Sequence, residues 1–144
     1  MFKSILIPTD GSELSAIAVQ KGIELAKLLG AKVVGVNIFA PYPYSALSEY
    51  VPETREAYES RTREPAARIL AEVSSLAAKA GVPCETVLKS DDQPHRGIIE
   101  TAAEKGCDVI LMASHGRRGI AGVLLGSETQ KVLVHSKLPV IVYR

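Results

Sequence analysis

The sequence predicts an α/β domain built on a mostly parallel sheet. Five short runs rich in Val and Ile alternate with four segments of helical period. Glycines and turn clusters stand at the joints between them, and the runs follow one another at βαβ spacing. The 144 residues fit one domain, spanning 1–144, and suffice to bury a core without disulfide staples.

Lys3 to Ile7 is an apolar run closed by Pro8, the pattern of a strand buried on both faces. Thr9-Asp10-Gly11-Ser12 is a turn cluster, with Ser12 as the N-cap of a first helix. Ala16, Val19, Ile23 and Ala26 form its apolar stripe, and Gly30 ends it as a left-handed cap. Val33 to Phe39 is the second strand. From Ala40 to Thr54, Pro41, Pro43 and Pro52 interleave with Tyr42, Tyr44 and Tyr50, so the stretch reads as a long loop, either a lid or a subunit contact. Glu53 to Arg63 is charged and helix-favouring, and Pro65 either kinks that helix or starts a new one.

Ile69, Val73, Leu76 and Ala80 supply the next apolar stripe, which Gly81 ends. Cys84 to Leu88 is the third strand. Asp91 or Asp92 caps a short helix running from near Pro94 to Gly106. Cys107 to Ala113 is a continuous apolar run suited to a central strand. A glycine-rich loop occupies Ser114 to Leu125. Ser127 and Gln130 stand in capping-box register for a last helix at about Glu128 to His135, and Pro139 to Tyr143 is the fifth strand.

Composition excludes several function classes. Seventeen basic against sixteen acidic residues leave +1, which argues against general nucleic-acid binding. No apolar run reaches the roughly 18 residues of a membrane span, and the first residues are too strand-like for a signal peptide, so the expected compartment is the cytoplasm. Cys84 and Cys107 lack ligand or CxxC spacing and read as core residues. His95 and His135 fall in separate helical regions without a cysteine or carboxylate cluster, so no protein-built metal site is expected. His115 follows Ser114, but neighbours rarely place a base on each other's hydroxyl, so it reads as a loop residue.

Ligands of an open parallel sheet sit beyond the carboxyl ends of its strands. The loop Ala113-Ser114-His115-Gly116 through Gly126-Ser127 lies at such an end. Its glycines admit a close anion, and Gly126-Ser127 opens a helix whose orphan N–H groups attract phosphate. No GKS or GKT follows the glycines, so the loop is not a P-loop. The turn after the first strand carries a single glycine and so lacks GxGxxG.

The opening ILIPTDGS, the closing HSKLPVIVYR and the loop between them resemble the universal stress protein family over essentially the whole chain. The nucleotide-binding branch of that family is marked by Gly-x2-Gly-x9-Gly-Ser/Thr. Here Gly116, Gly126 and Ser127 occupy that frame, and Ala113 stands where the first glycine belongs. The resemblance implies a doubly wound five-stranded parallel sheet in order 3-2-1-4-5, with helices on both faces. It further implies that Pro8, Thr9 and Asp10 line the adenine and ribose side, with the Asp10 carboxylate accepting from ribose hydroxyls. Ile38 would meet the base, while Met112 and Ala113 lie along the ribose. Gly116, Gly126, Ser127 and Thr129 would contact phosphates, with Glu128 exposed and contributing only its amide. Arg117 and Arg118 belong to this sequence's own loop and either reach the terminal phosphates or stay solvated.

A receiver-type acidic pocket is disfavoured, because the third strand ends Leu88-Lys89-Ser90 without further carboxylates. The expected function is binding of ATP or AMP by a stress-response regulator or sensor, with any Mg²⁺ or Mn²⁺ held by the phosphates. The family resemblance also implies a homodimer through the edge strand at 139–143. Two alternatives stay open: a homodimeric interaction protein of the same fold that binds no nucleotide, and a slow ATPase or autophosphorylating protein. No general base stands beside the phosphate loop, so negligible turnover is expected.

Overall fold

In the computed structural model, which describes residues 1–43, 53–116 and 125–144, nine elements follow in strict alternation. They are β1 (Ser4–Pro8), α1 (Glu13–Leu29), β2 (Lys32–Phe39), α2 (Arg55–Ala80), β3 (Cys84–Ser90), α3 (Pro94–Glu104), β4 (Val109–Ala113), α4 (Ser127–His135) and β5 (Val140–Tyr143). The five strands form one all-parallel sheet in order β3-β2-β1-β4-β5, as the resemblance implied.

The buried runs form strands because both sheet faces are covered. One face sets Ile5, Ile7, Val33, Val109 and Leu111 against Val19, Ile23 and Ala26 of α1 and Val73 and Ala77 of α2. The alternate residues Leu6, Val34, Val36, Ile110 and Met112 meet Ile98 and Ala102 of α3 and Val132 of α4. Ile5, Leu6 and Ile7 are wholly buried, as expected at the centre of a doubly wound sheet.

Helix ends follow the sequence in part. Ser12 caps α1 by accepting the Ser15 N–H at 3.4 Å, and Gly30 and Gly81 end α1 and α2 at φ of 66° and 73°. The caps of the two later helices differ from expectation. Gln93, not Asp91 or Asp92, is the N-cap of α3, because the Asp91 carboxylate is used to accept the Gln93 N–H at 2.8 Å and to hold Arg96. α4 begins at Ser127 with Gly126 as N-cap, and the Gln130 amide donates to the Leu125 carbonyl, so no capping box forms.

The expected stripe of α1 holds at Val19, Ile23 and Ala26, and that of α2 shifts by about one position around Val73. In α1 the buried set is Ser15, Ala18, Val19, Gly22, Ile23 and Ala26, and Ala16 faces solvent. In α2 it is Ala66, Leu70, Val73 and Ala77, while Leu76 is 42% exposed. Both candidate stripes of α2 share Val73, which packs against Gly35 of β2, where a Cβ would come within 3.1 Å of Val73 Cγ1. Pro65 lies inside α2, which neither breaks nor restarts there. Tyr58 anchors the added turns. It is buried, and its hydroxyl donates to the carbonyls of Ala40 at 2.5 Å and Pro41 at 3.1 Å. β3 runs two residues past Leu88 to Ser90, whereas β4 and β5 begin at Val109 and Val140, slightly inside the expected bounds.

Candidate functional site

The strand order reverses at β1, whose neighbours are β2 and β4, so the chain leaves their carboxyl ends in opposite directions and opens a crevice. The turn after β1 forms one wall. Thr9 N–H continues the ladder by donating to the Val36 carbonyl at 2.9 Å, and the Thr9 hydroxyl meets the Ser15 hydroxyl at 2.5 Å. Asn37 donates its side-chain amide to the Thr9 carbonyl at 2.9 Å. Ser12 N–H donates to Asp10 Oδ1 at 2.9 Å, which fixes the carboxylate at the mouth of the turn.

Asn37 and Ser15 escaped the sequence analysis. The signal was present for Asn37: one amide inside an otherwise apolar strand run must find a partner when buried.

β2 extends past β1. The rungs between them end at Pro8–Val36, two residues short of Ile38. Peptide groups of a strand point to its two neighbours alternately. The Ile38 peptide groups therefore point to the β1 side, beyond the last rung. The Ile38 side chain packs toward α3, where Gly97 admits it: a Cβ on Gly97 would come within 2.9 Å of Ile38 Cδ1.

The opposite wall is the end of β4 and the start of α4. Met112 and Ala113 are both 7% exposed, with their side chains in opposite core clusters, so they present mainly backbone to the crevice. Two glycines follow at points of steric contact. A Cβ on Gly116 would overlap Asp10 Oδ2 and lie 3.3 Å from its Cγ, so the Asp10 carboxylate rests directly on the glycine. A Cβ on Gly126 would lie 3.2 Å from both His115 Cα and the Ser114 carbonyl oxygen. Gly126 N–H donates to that same oxygen at 2.7 Å.

α4 starts at Gly126 without a side-chain cap, at the carboxyl end of β4, where helix-start N–H groups favour an anion. Ser127 is exposed there. The Thr129 hydroxyl is directed inward, donating to the Ala113 carbonyl at 3.0 Å, which leaves its amide for any ligand. Glu128 is half-buried, not exposed as expected. Its carboxylate turns onto α3, accepting the His95 N–H at 2.9 Å and the Lys131 ammonium at 3.1 Å. Arg117 and Arg118 lie outside the described residues, as do Tyr44 and Tyr50 of the long loop.

The neighbouring pair Ser114 and His115 does make the contact judged improbable from adjacency, Oγ to Nδ1 at 3.2 Å. Ser114 is nevertheless 3% exposed, which removes its hydroxyl from any substrate. Folding also brings His95 and His135 to a ring separation of 5.5 Å. Among the described residues, however, no group of three or more His, Cys, Asp or Glu side chains is placed to hold a metal ion. Cys84 and Cys107 are free, Cys107 buried in the core and Cys84 half-buried at its edge, and burial pushes both thiols up. No helix among the described residues is long and apolar enough to cross a membrane.

The crevice thus combines a carboxylate, open strand-edge peptides and an uncapped helix start, and comparison with known proteins gives it a context. The sequence pattern of the universal stress protein family matches residues 1–144. A universal stress protein of Thermus aquaticus, from the region 3′ of a QAH/OAS sulfhydrylase, is 33% identical over 144 residues, with all of both chains covered. The solved structure of MJ0577 from Methanocaldococcus jannaschii superposes with a TM-score of 0.83 at 26% identity, covering 99% of this chain and 95% of that one. A universal stress protein in complex with cAMP superposes at 0.73 and 26% identity, covering 99% of this chain and 97% of that one. With the pattern matched from the first residue to the last, and a relative one-third identical along its full length, this chain belongs to the universal stress protein family.

Proposed function

We propose that the chain binds an adenine nucleotide, ATP or AMP, across the carboxyl ends of β1, β2 and β4, and acts as a regulator that responds to the bound nucleotide. One observation carries the reading. Gly116 and Gly126 are pressed against Asp10 and against the 114–115 backbone, so at both positions the chain beside the Asp10 carboxylate and the start of α4 has no room for a side chain. A phosphate chain reaches peptide N–H groups closely at such positions. The family member bound to cAMP supports the same ligand class.

The base lies against Pro8 and Thr9 and pairs its N1/N6 edge with the Ile38 peptide groups. Its ribose hydroxyls donate to Asp10, and the sugar rests on the Met112 and Ala113 backbone. The phosphates sit over Gly116, Gly126 and Ser127 and take the amides of Glu128 and Thr129. A Mg²⁺ or Mn²⁺ ion rides on the phosphates. β5 is the outer strand of the sheet, and its Val140, Ile141, Val142 and Tyr143 are all half-buried, so a second copy docks there to give a homodimer.

Titration calorimetry with ATP and AMP, with and without Mg²⁺, tests the reading. Micromolar binding is expected for the wild type and none for Gly126→Val, whose added methyls have only the His115 and Ser114 backbone to move into. Absence of heat and of any thermal shift at millimolar nucleotide, with ligand-free protein, would refute it and favour an interaction protein of the same fold.

A further inference from the structure

Glu128 places a carboxylate in the first turn of α4, the turn whose amides the nucleotide reading assigns to phosphate. It is the second residue of α4, immediately after Ser127, in the turn whose N–H groups and dipole attract anions. The carboxylate is held there by contacts outside the crevice. Oε2 accepts the His95 N–H at 2.9 Å and lies 3.3 Å from His95 Nδ1, and Oε1 accepts from Lys131 at 3.1 Å.

The His95 bond has a structural cause. His95 is the second residue of α3, whose own N-cap Gln93 makes no side-chain capping bond, so Glu128 satisfies an orphan N–H of α3 from a different helix. One carboxylate therefore sits in the first turn of two helices at once. Partial burial pushes the Glu128 carboxyl up, but Lys131 and His95 outweigh it and hold the group below the usual carboxylate range. Lys131, paired to Oε1 at 3.1 Å, offsets part of that charge, but it is half exposed, so solvent screens the pair and a net negative charge remains.

We propose, resting on the nucleotide reading above, that Glu128 is a specificity-determining residue that sets the phosphate count of the ligand, disfavouring triphosphates relative to monophosphates. The repulsion scales with ligand charge. Adenosine feels none of it, AMP a little, and ATP the most. A purely structural link between α3 and α4 would instead affect all three ligands alike, because each needs the same crevice.

The test is calorimetry of wild type and Glu128→Gln with adenosine, AMP and ATP in Mg²⁺-free buffer, at low and high salt. The glutamine keeps an oxygen for the His95 N–H and removes only the charge. The ATP-to-AMP affinity ratio is expected to rise roughly 2- to 5-fold, the size of one charge at a helix end, and adenosine affinity to change less than that of either nucleotide. High salt should shrink that gain. Lys131→Met removes the neighbouring cation and is expected to lower the same ratio, which gives a second arm with the opposite sign. Equal changes for all three ligands, or no change in the ratio for either variant, would overturn the specificity role alone. Failure of the wild type to bind any of the three would overturn the nucleotide reading and this inference with it.

Discussion

Gly116→Ala separates the site from the fold. Gly116 is not among the positive-φ glycines, so alanine costs no backbone strain there. The nearest atoms its Cβ meets among the described residues are those of the Asp10 carboxyl group. Restoring van der Waals contact requires Asp10 Oδ2 to retreat by about 1 Å. Rotation on that scale stretches the 2.9 Å bond that Asp10 Oδ1 accepts from Ser12 N–H, at the first turn of α1. A hydrogen bond to a charged acceptor contributes about 1.5–3 kcal/mol when buried. Asp10 and Ser12 are only half-buried and water recovers part of the loss, so about 1 kcal/mol of destabilisation is expected.

Binding should suffer more, because the displaced carboxylate is the proposed ribose acceptor. An affinity loss of about tenfold or greater follows from one lost charge-assisted contact. Urea denaturation and ATP calorimetry on Gly116→Ala, Asp10→Ala and the double variant read both quantities. In the Asp10→Ala background the clash partner is gone, and the second substitution should be nearly silent. The cycle should thus show a coupling energy of about 1 kcal/mol. Strict additivity of the two substitutions, or wild-type ATP affinity in Gly116→Ala, would refute the steric argument.

Thr129→Val should cost about 1–2 kcal/mol in urea denaturation, because it leaves the Ala113 carbonyl without its buried donor, whereas Thr129→Ser should recover most of the loss. Asp91→Asn should produce a stability defect that depends on pH. The Arg96 guanidinium, aided by the Gln93 N–H, outweighs desolvation and lowers the Asp91 carboxyl to about 2. A lowered carboxyl stabilises the fold above its unfolded value near pH 4, and that contribution disappears as pH falls through about 2. Arg96 is half exposed, so solvent screening reduces the expected wild-type advantage to about 1 kcal/mol at neutral pH. Thermal unfolding of both proteins across that range should show the two curves converging in acid. A gap that persists at the lowest pH would place the defect elsewhere than in the ion pair.

The strands were legible because both faces of the sheet are covered, so runs such as Val109 to Met112 are apolar without interruption. Glycine punctuation at Gly30 and Gly81 was legible for a local reason, since a left-handed cap is decided within a few residues. The order of the strands came only through family resemblance, because periodicity says nothing about which strands are neighbours. Misplaced details share one origin in contacts between residues far apart in the chain. Gln130 fits a capping box by spacing, yet it finds the Leu125 carbonyl. Glu128 looks like a solvated first-turn acid until α3 presents an unsatisfied N–H 33 residues away. Tyr58 lies in a charged stretch, and only the return of the chain past Ala40 and Pro41 buries it.

The same long-range logic explains why a substitution at Gly126 should reach beyond the crevice. Ser114 joins the start of α4 to the end of β5. Its carbonyl accepts from Gly126 N–H, and its own N–H donates to the Tyr143 carbonyl, each at 2.7 Å. Ser114 is 3% exposed, so neither bond has water as a ready substitute. Thr129 adds a third tie by holding α4 to the Ala113 carbonyl one residue earlier. A side chain at Gly126 presses on this short segment from the crevice side, against backbone atoms that cannot rotate away as a side-chain tip would. The displacement passes into the β4–β5 ladder or into the α4 register, the elements that these hydrogen bonds tie to the segment. The start of α4 and the end of the outer strand are in this way joined through two consecutive residues, Ala113 and Ser114.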